Sequence, residues 1–496
     1  MNDSPSRVRD RCCGHRGWPG IVRGLSGALA AITLAGCAAS SSLPAPAPVP
    51  IAAATSSDPT QRCLAQFDAL DRALDDAGVR DHQDRPVPGF PYLRSSRLLR
   101  SYLDRIGAGH MAAAWIARMR TLDQQARKYE IANFGTHRAA PLLGYAANTP
   151  LPFLLEHLER CGQLLTEQDR RDGQRVEMLS AAIEKPLPEA SLDDRYRPLS
   201  TQSRTGLAGA LADGLEMPPE IGRRNLMLVP SAAPPAPDLV RALVRSRRRD
   251  ALALPVLTED VSLRLIEAMA PVIEVRGGLP AARVVLAGSQ DDPTPSLDLG
   301  SPTVYARQEL TRLGGASALQ LIYSVWFKTE QAQMPSELYL RLTLDDSGEP
   351  IRFEAMPGQG RQRLTVPIGM HESVDELLDA SLALPSALAG QRLRVLVDPA
   401  RLSVVGLDYV DATIPGEPYE LYPEDIMRSL PVAGDPRRRA SLFGADGRMR
   451  GQAAERVDVP LQWGHHRLDV MRMGSGAAPF FDSPEYPRQD EPHAAR

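Results

Sequence analysis

The chain reads as an α+β protein: an N-terminal helical domain, then an antiparallel β-meander domain with a helix and loop C-terminal extension. Three observations predict this. Apolar residues recur at four-three spacing within residues 61–185, the mark of helices with one buried face. From about residue 271 the period shortens to two, most clearly where Leu338, Leu340, Leu342 and Leu344 alternate with Tyr339, Arg341 and Thr343. Turn-forming clusters then separate the apolar runs.

The helical domain is expected over 61–190. Leu64, Phe67, Leu70 and Leu74 make one stripe. Trp115, Met119, Leu122, Ala126 and Tyr129 make a second, and Leu154, Leu158, Cys161 and Leu165 a third, which places Cys161 on a buried face. Between them Gly89-Phe90-Pro91-Tyr92-Leu93-Arg94 reads as an ordered turn. Residues 191–270 read as an irregular linker with short helices, punctuated by proline runs such as Pro230 to Pro237.

The β domain is expected over 271–410. Val304 to Leu310 and Leu319 to Phe327 flank Gly314-Gly315, a hairpin signal. The Leu338–Leu344 run has the alternation of a half-buried strand, and Asp345-Asp346-Ser347-Gly348 turns it into Ile351 to Ala355. Arg392 to Val397 and Leu402 to Leu407 form another hairpin across Asp398-Pro399-Ala400. Residues 411–475 read as a helix and loop extension, and 476–496 as a frayed tail.

The N-terminus reads as an address. Arg7, Arg9, Arg11, Arg16 and Arg23 precede the apolar run Leu25 to Leu34. A spanning helix needs about 20 apolar residues, so this run fits a signal peptide instead, over 1–36. It ends in Leu34-Ala35-Gly36-Cys37, which resembles the bacterial lipobox. Small residues let the extended chain enter the processing peptidase, and the thiol accepts the diacylglyceryl group. Cys37 is therefore the expected lipidation site and first mature residue, bearing acyl chains such as palmitate. Ala38 is not the aspartate associated with inner-membrane retention in enteric bacteria, which points to the periplasmic face of the outer membrane. Residues 37–60 then form a Ser, Pro and Ala tether; its prolines favour an extended spacer of about 3.1 Å per residue.

Cys12 and Cys13 leave with that leader, and Cys37 is lipidated, so Cys63 and Cys161 remain. Both fall in helical patterns, and an oxidising compartment favours a disulfide between them. Two buried free thiols are the alternative.

Hydrophobic residues make up 43% and charged residues 24% of the 496, a globular mixture able to bury a core. The formal charge is -4, and without residues 1–36 it becomes -7. A mildly acidic chain has no overall electrostatic reason to bind nucleic acid. The run Arg245 to Arg249 reads as a solvated helix face. There is no G-x-S-x-G elbow and no phosphate-binding Gly-Lys-Ser/Thr loop. His371-Glu372 opens a segment lacking the second histidine of a zinc-protease helix, and His465-His466 reads as a surface loop. His157, between Glu156 and Glu159, reads as a solvated side chain, and Asp123 with Arg127 as an ordinary helix ion pair. No cofactor, metal or catalytic set is expected.

Several segments together resemble a group of uncharacterised proteobacterial lipoproteins and secreted proteins of unknown function. They are Cys63 with Ala77-Gly78-Val79-Arg80-Asp81, Gly89 to Arg94, Arg97-Leu98-Leu99, Pro302 to Tyr305, Leu319 to Phe327 and Ser441 to Gly447. The resemblance spans most of residues 60–480 in the same order and implies no particular activity. Its members follow the strand equivalent to 351–355 with a short Cys/His-rich segment. Here Met356 to Arg363 holds neither residue type, so a metal or redox role built there does not carry over.

The leading expectation is a non-enzymatic, lipid-anchored envelope interaction or assembly factor, with an envelope protein as partner. One alternative is a periplasmic hydrolase whose site assembles from distant residues, with His371, Glu372, His465 and His466 as its candidates. The other is a carrier of an apolar ligand in the β domain.

Overall fold

A computed structural model describes residues 57–184 and 225–450, with breaks at 82, 104–105, 107–108, 232–236, 246–247, 279–280, 289–292, 314–315, 329–334, 358–363, 370–383, 401 and 445–448. The leader, Cys37, most of the tether, Gly314-Gly315, His371, Glu372, His465, His466 and the tail lie outside the described residues.

Helix α1 (Pro59–Asp76) starts where it does because the Asp58 side chain accepts from the Thr60 N–H and Pro59 fits the first turn. Phe67, Leu70 and Leu74 are buried as expected, Cys63 joins them, and Leu64 is half-buried against the same core. Strands β1 (Arg85–Val87) and β2 (Phe90–Ser95) follow. They pair antiparallel, so the segment read as a turn is mostly a strand. Its residues bury Phe90, Tyr92 and Leu93 among the helices, a long-range packing that local turn signals do not encode. Helices α2 (Arg97–Arg100), α3 (His110–Phe134), α4 (Thr136–Leu142), α5 (Leu151–Arg171) and α6 (Gly173–Glu184) complete this part. Leu154, Leu158, Cys161 and Leu165 of α5 are all buried, as their spacing predicts.

The segment read as a linker is structured after 225. It holds β3 (Leu226–Pro230), α7 (Pro237–Arg245), the short β4 (Arg248–Arg249) and β5 (Pro255–Val256), and α8 (Glu259–Met269). Leu252 and Leu254 sit in the core of the helical part. Val240, Val244, Leu265 and Ile266 sit in the core of the main sheet. Of the basic run, Arg249 bonds Ala253 O and Ser317 Oγ and pairs with Asp346.

The strand-rich part then runs β6 (Val272–Val275), β7 (Arg283–Gly288), β8 (Pro293–Asp298), β9 (Thr303–Leu313), β10 (Ala316–Phe327), β11 (Ser336–Leu344), β12 (Pro350–Pro357) and β13 (Leu364–Pro367). It ends with β14 (Gln391–Asp398), β15 (Ser403–Asp411), β16 (Glu417–Pro423), β17 (Leu430–Val432) and β18 (Asp435–Ala440).

Ten strands form one sheet in the order β13-β12-β11-β10-β9-β16-β3-β6-β14-β15. The antiparallel meander expected from β9 onward is there, and so is the β14–β15 hairpin. What joins them is β16 and β3, which pair parallel to each other; β16 also pairs parallel to β9, and β6 parallel to β14. The sheet is therefore mixed. Its two central strands come from segments read as linker and as helix and loop. Neither shows a long alternation, because each is short and proline-bearing. A Cβ on Gly416 would lie 2.7 Å from the Met227 carbonyl oxygen and 2.7 Å from Val229, so glycine is what permits this close approach at the start of β16.

Every residue of β11 is buried, which corrects the half-buried expectation. Leu338, Leu340, Leu342 and Leu344 belong to the core shared with α7 and α8. On the opposite face Tyr305, Ile322, Trp326 and Tyr339 pack with Val284 and Leu286 of a second sheet, order β18-β17-β7-β8. Alternation announces two chemically different faces; only the second sheet makes both of them interior. Among the described residues, no helix is long and apolar enough to cross a membrane.

Gly416→Ala is expected to lower stability by about 1–3 kcal/mol through overpacking between β16 and β3. A urea midpoint unchanged from wild type would show that the close approach is not rigid.

Candidate functional site

Cys63 of α1 and Cys161 of α5 form a disulfide, with Cα atoms 5.4 Å apart and 98 residues between them. Beside it stands a polar trio. Gln66 Nε2 donates to Leu143 O at 2.8 Å, which leaves Gln66 Oε1 as an acceptor facing His157 Nε2 at 2.9 Å. His157 Nε2 is thereby assigned as the protonated nitrogen, and Nδ1 accepts from the Tyr145 hydroxyl at 3.2 Å. Burial, and then the charge of Arg160, push His157 down to about 4. It is a neutral packing group, not a solvated side chain. Helical spacing compared it only with Glu156 and Glu159, whereas its partners come from α1 and from the loop before α5.

Asp123 and Arg127 are likewise more than a helix ion pair. Both are buried on α3 with Glu130, on the face that carries Met119 and Ala126. Strand β2 inserts Arg94 between them. Its Nε lies 3.2 Å from Asp123 Oδ1, its Nη2 2.5 Å from Glu130 Oε1, and its Nη1 donates to Asp81 O at 2.6 Å. Arg127 pairs with Glu130 at 3.3 Å and with Asp71 of α1, and donates to Pro91 O at 2.8 Å. Arg80 pairs with the same Asp71 carboxylate. From the far end of the chain, Arg428 places its Nε 2.6 Å from Asp81 Oδ2, and its carbonyl accepts from Asn133 Nδ2 at 2.8 Å. Charges recruited from α1, β2, α3 and the turn before β17 thus meet in one interior.

The electrostatics follow from burial set against pairing. Burial alone would raise the Glu130 carboxyl, but the Arg94 and Arg127 guanidiniums outweigh it and hold Glu130 at about 2. At Asp71 burial is likewise overcome, by Arg127 and Arg80, and its carboxyl is lowered. At Asp123 burial wins over Arg127 and Arg94, and the carboxyl is raised. A second charged stratum lies in the strand-rich part. Arg341 and Glu354 face each other across β11 and β12 at 2.7 Å, fully buried. Arg307 of β9 pairs with Glu309 at 2.8 Å and with Glu424.

Two members of the first network reach the surface. Asp71 and Arg80 line an open groove of about 620 Å³ between α1 and the β1–β2 hairpin. Leu64, Ala65 and Asp68 form its helical wall; Pro86, Val87, Pro88 and Pro91 form the other. The buried network therefore sets the spacing of the groove's walls, since Arg127 holds both Asp71 on one wall and Pro91 on the other. Such a groove has the size of a binding site, and its lining mixes apolar residues with the polar Gln61, Asp68, Asp71 and Arg80.

Of the residues named from sequence, the structure joins Cys63 to Cys161. Cys37, His371, Glu372, His465 and His466 lie outside the described residues. Among the described residues no three of His, Cys, Asp and Glu converge as a metal site. Sequence reasoning missed Asp71, Arg80, Arg94 and Glu130. One signal was available: Asp123, Arg127 and Glu130 continue the apolar face of α3 at helical spacing, and charge on a core face needs a buried partner. No protein-family model matches the chain, and no curated protein matches it either.

Glu130→Gln is expected to cost about 3–5 kcal/mol at pH 7, since Arg94 and Arg127 are left undercompensated in the interior. Glu130 is held below the usual carboxylate range in the fold, so its contribution is present above pH 4.5 and is lost as pH falls toward 2. Wild type and variant should converge over that window in denaturant titrations. His157 contributes over a different window. Its folded value lies below 6.5, so stability is present above pH 6.5 and falls as pH drops through 4. Replacing it in His157→Gln should flatten the pH dependence of Tm between 6.5 and 4; an unaltered slope would contradict the burial of a neutral imidazole.

Proposed function

We propose that this chain is a lipid-anchored bacterial envelope protein, held through Cys37 at the periplasmic face of the outer membrane, and that it acts by binding an envelope partner. The observation that carries the reading is the order of basic leader, short apolar run and Leu34-Ala35-Gly36-Cys37 in the sequence. The disulfide between Cys63 and Cys161 supports it, because such bonds persist in oxidising compartments. Two acyl chains on Cys37, at about 0.8 kcal/mol per buried CH₂, make anchoring stable. The binding role rests on the groove. Two of its charged groups, Asp71 and Arg80, are already paired with each other and hold a preformed surface, and preformed surfaces bind without first ordering themselves.

Metabolic labelling with palmitate tests the anchor. Wild-type protein should carry label and sediment with outer membranes, whereas Cys37→Ser should lose label and remain unprocessed. Retention of label in the variant would rule out Cys37. Crosslinking in intact cells, followed by recovery from solubilised membranes, tests the role; absence of any envelope partner would count against it.

A further inference from the structure

The groove between α1 and the β1–β2 hairpin differs from an indifferent apolar cleft in its hydrogen-bonding character. Three of the six residues from Pro86 to Pro91 are prolines, which have no N–H. That wall therefore offers apolar rings and few donors, and its Pro91 carbonyl is already taken by Arg127. The groove's single arginine, Arg80, donates through Nη1 to Asp71, with Asp75 3.5 Å and Glu130 3.9 Å from its Nε, so its charge is answered by carboxylates. Asp71 Oδ1 in turn faces both Arg80 and Arg127. Asp68, one turn earlier on α1, is exposed, and among the described residues its carboxylate has no cationic partner. The lining thus presents the Asp68 carboxylate beside a proline-rich wall poor in donors.

The complement of such a surface is a segment that brings donors and a positive charge, with apolar side chains on either side. From this charge complementarity we infer that the groove docks an extended stretch of an envelope protein in which one arginine or lysine is flanked by proline or aliphatic residues. The flanking residues lie against Leu64 and Val87, and the cation reaches Asp68. An anionic segment is rejected, because it would set charge against Asp68. This deepens the binding role proposed above and rests on it.

Fluorescence anisotropy on the detergent-solubilised full chain tests the inference with three labelled decapeptides. They are apolar and proline-containing, with a central arginine, a central glutamate or a central alanine. The arginine peptide should bind in a salt-sensitive manner and the glutamate peptide at least ten-fold more weakly, an order-of-magnitude expectation for reversing a rim charge. Asp68→Asn should weaken the arginine peptide by about three- to five-fold, the scale of one exposed ion pair, with no change in Tm. Equal binding of all three peptides, no binding of the arginine peptide, or an Asp68→Asn variant with wild-type affinity would overturn the proposal. Photo-crosslinkers placed at Gln61 in the groove and at Leu388, exposed elsewhere, separate this failure from that of the broader reading. A partner trapped only from Leu388 would sink the groove and leave the binding role standing, whereas a partner trapped from neither would sink both.

Discussion

Glu130 is shut away from water, and two guanidiniums, Arg94 and Arg127, stand against it. A carboxylate so placed is tolerable only while both partners are held in position, because an unpaired buried ion costs several kcal/mol. That requirement propagates outward. Arg94 must arrive on β2, so the hairpin must lie against α3. Arg127 also holds Asp71, so α1 must lie beside them. Asp81, whose carbonyl accepts from Arg94, has its carboxylate on Arg428, so the turn before β17 is tied to the helical part. One charge network thereby fixes how several pieces distant in sequence meet, and its rigidity is passed to the groove through Asp71, Arg80 and Pro91.

The strand-rich part solves a different problem with a related device. A ten-stranded sheet has two faces, and here both are interior around β11. The apolar face is filled by α7 and α8, while the other must bury Arg341 and Glu354. Their mutual pairing allows the second sheet to cover them. A slip of β11 against β12 by one residue would turn the leucines and this ion pair to the wrong faces at once, so the pair also specifies register.

A charge that answers another buried charge is committed to structure. Among the described residues, Glu130, Asp71, Glu354 and Glu424 face arginines, and His157 is a neutral packing group between Tyr145 and Gln66. Asp68 is different: it lines the groove, and among the described residues its carboxylate has no ion-pair partner. This contrast, more than the number of ionisable groups, is what directs attention to binding at that rim.

The sequence by itself determined the elements whose signal is local. The stripe of α5, the β9–β12 meander and the β14–β15 hairpin follow from spacing and turn residues, and cysteine arithmetic favoured pairing Cys63 with Cys161 over two free thiols. The α+β class follows from the same signals. The tertiary structure decided what depends on partners far along the chain. Strands β16 and β3 are too short and proline-bearing to announce themselves, and they exist as central strands because neighbours on both sides satisfy their backbones. Asp123 and Arg127 look in sequence like a surface pair, and only the arrival of Arg94 and Asp71 makes them a core. The groove is legible in no single segment, since one wall belongs to α1, which ends at Asp76, and the other to a hairpin that begins at Arg85. Periodicity reports which face of an element is buried; it cannot report what that face is buried against, and here that second fact made both the network and the site.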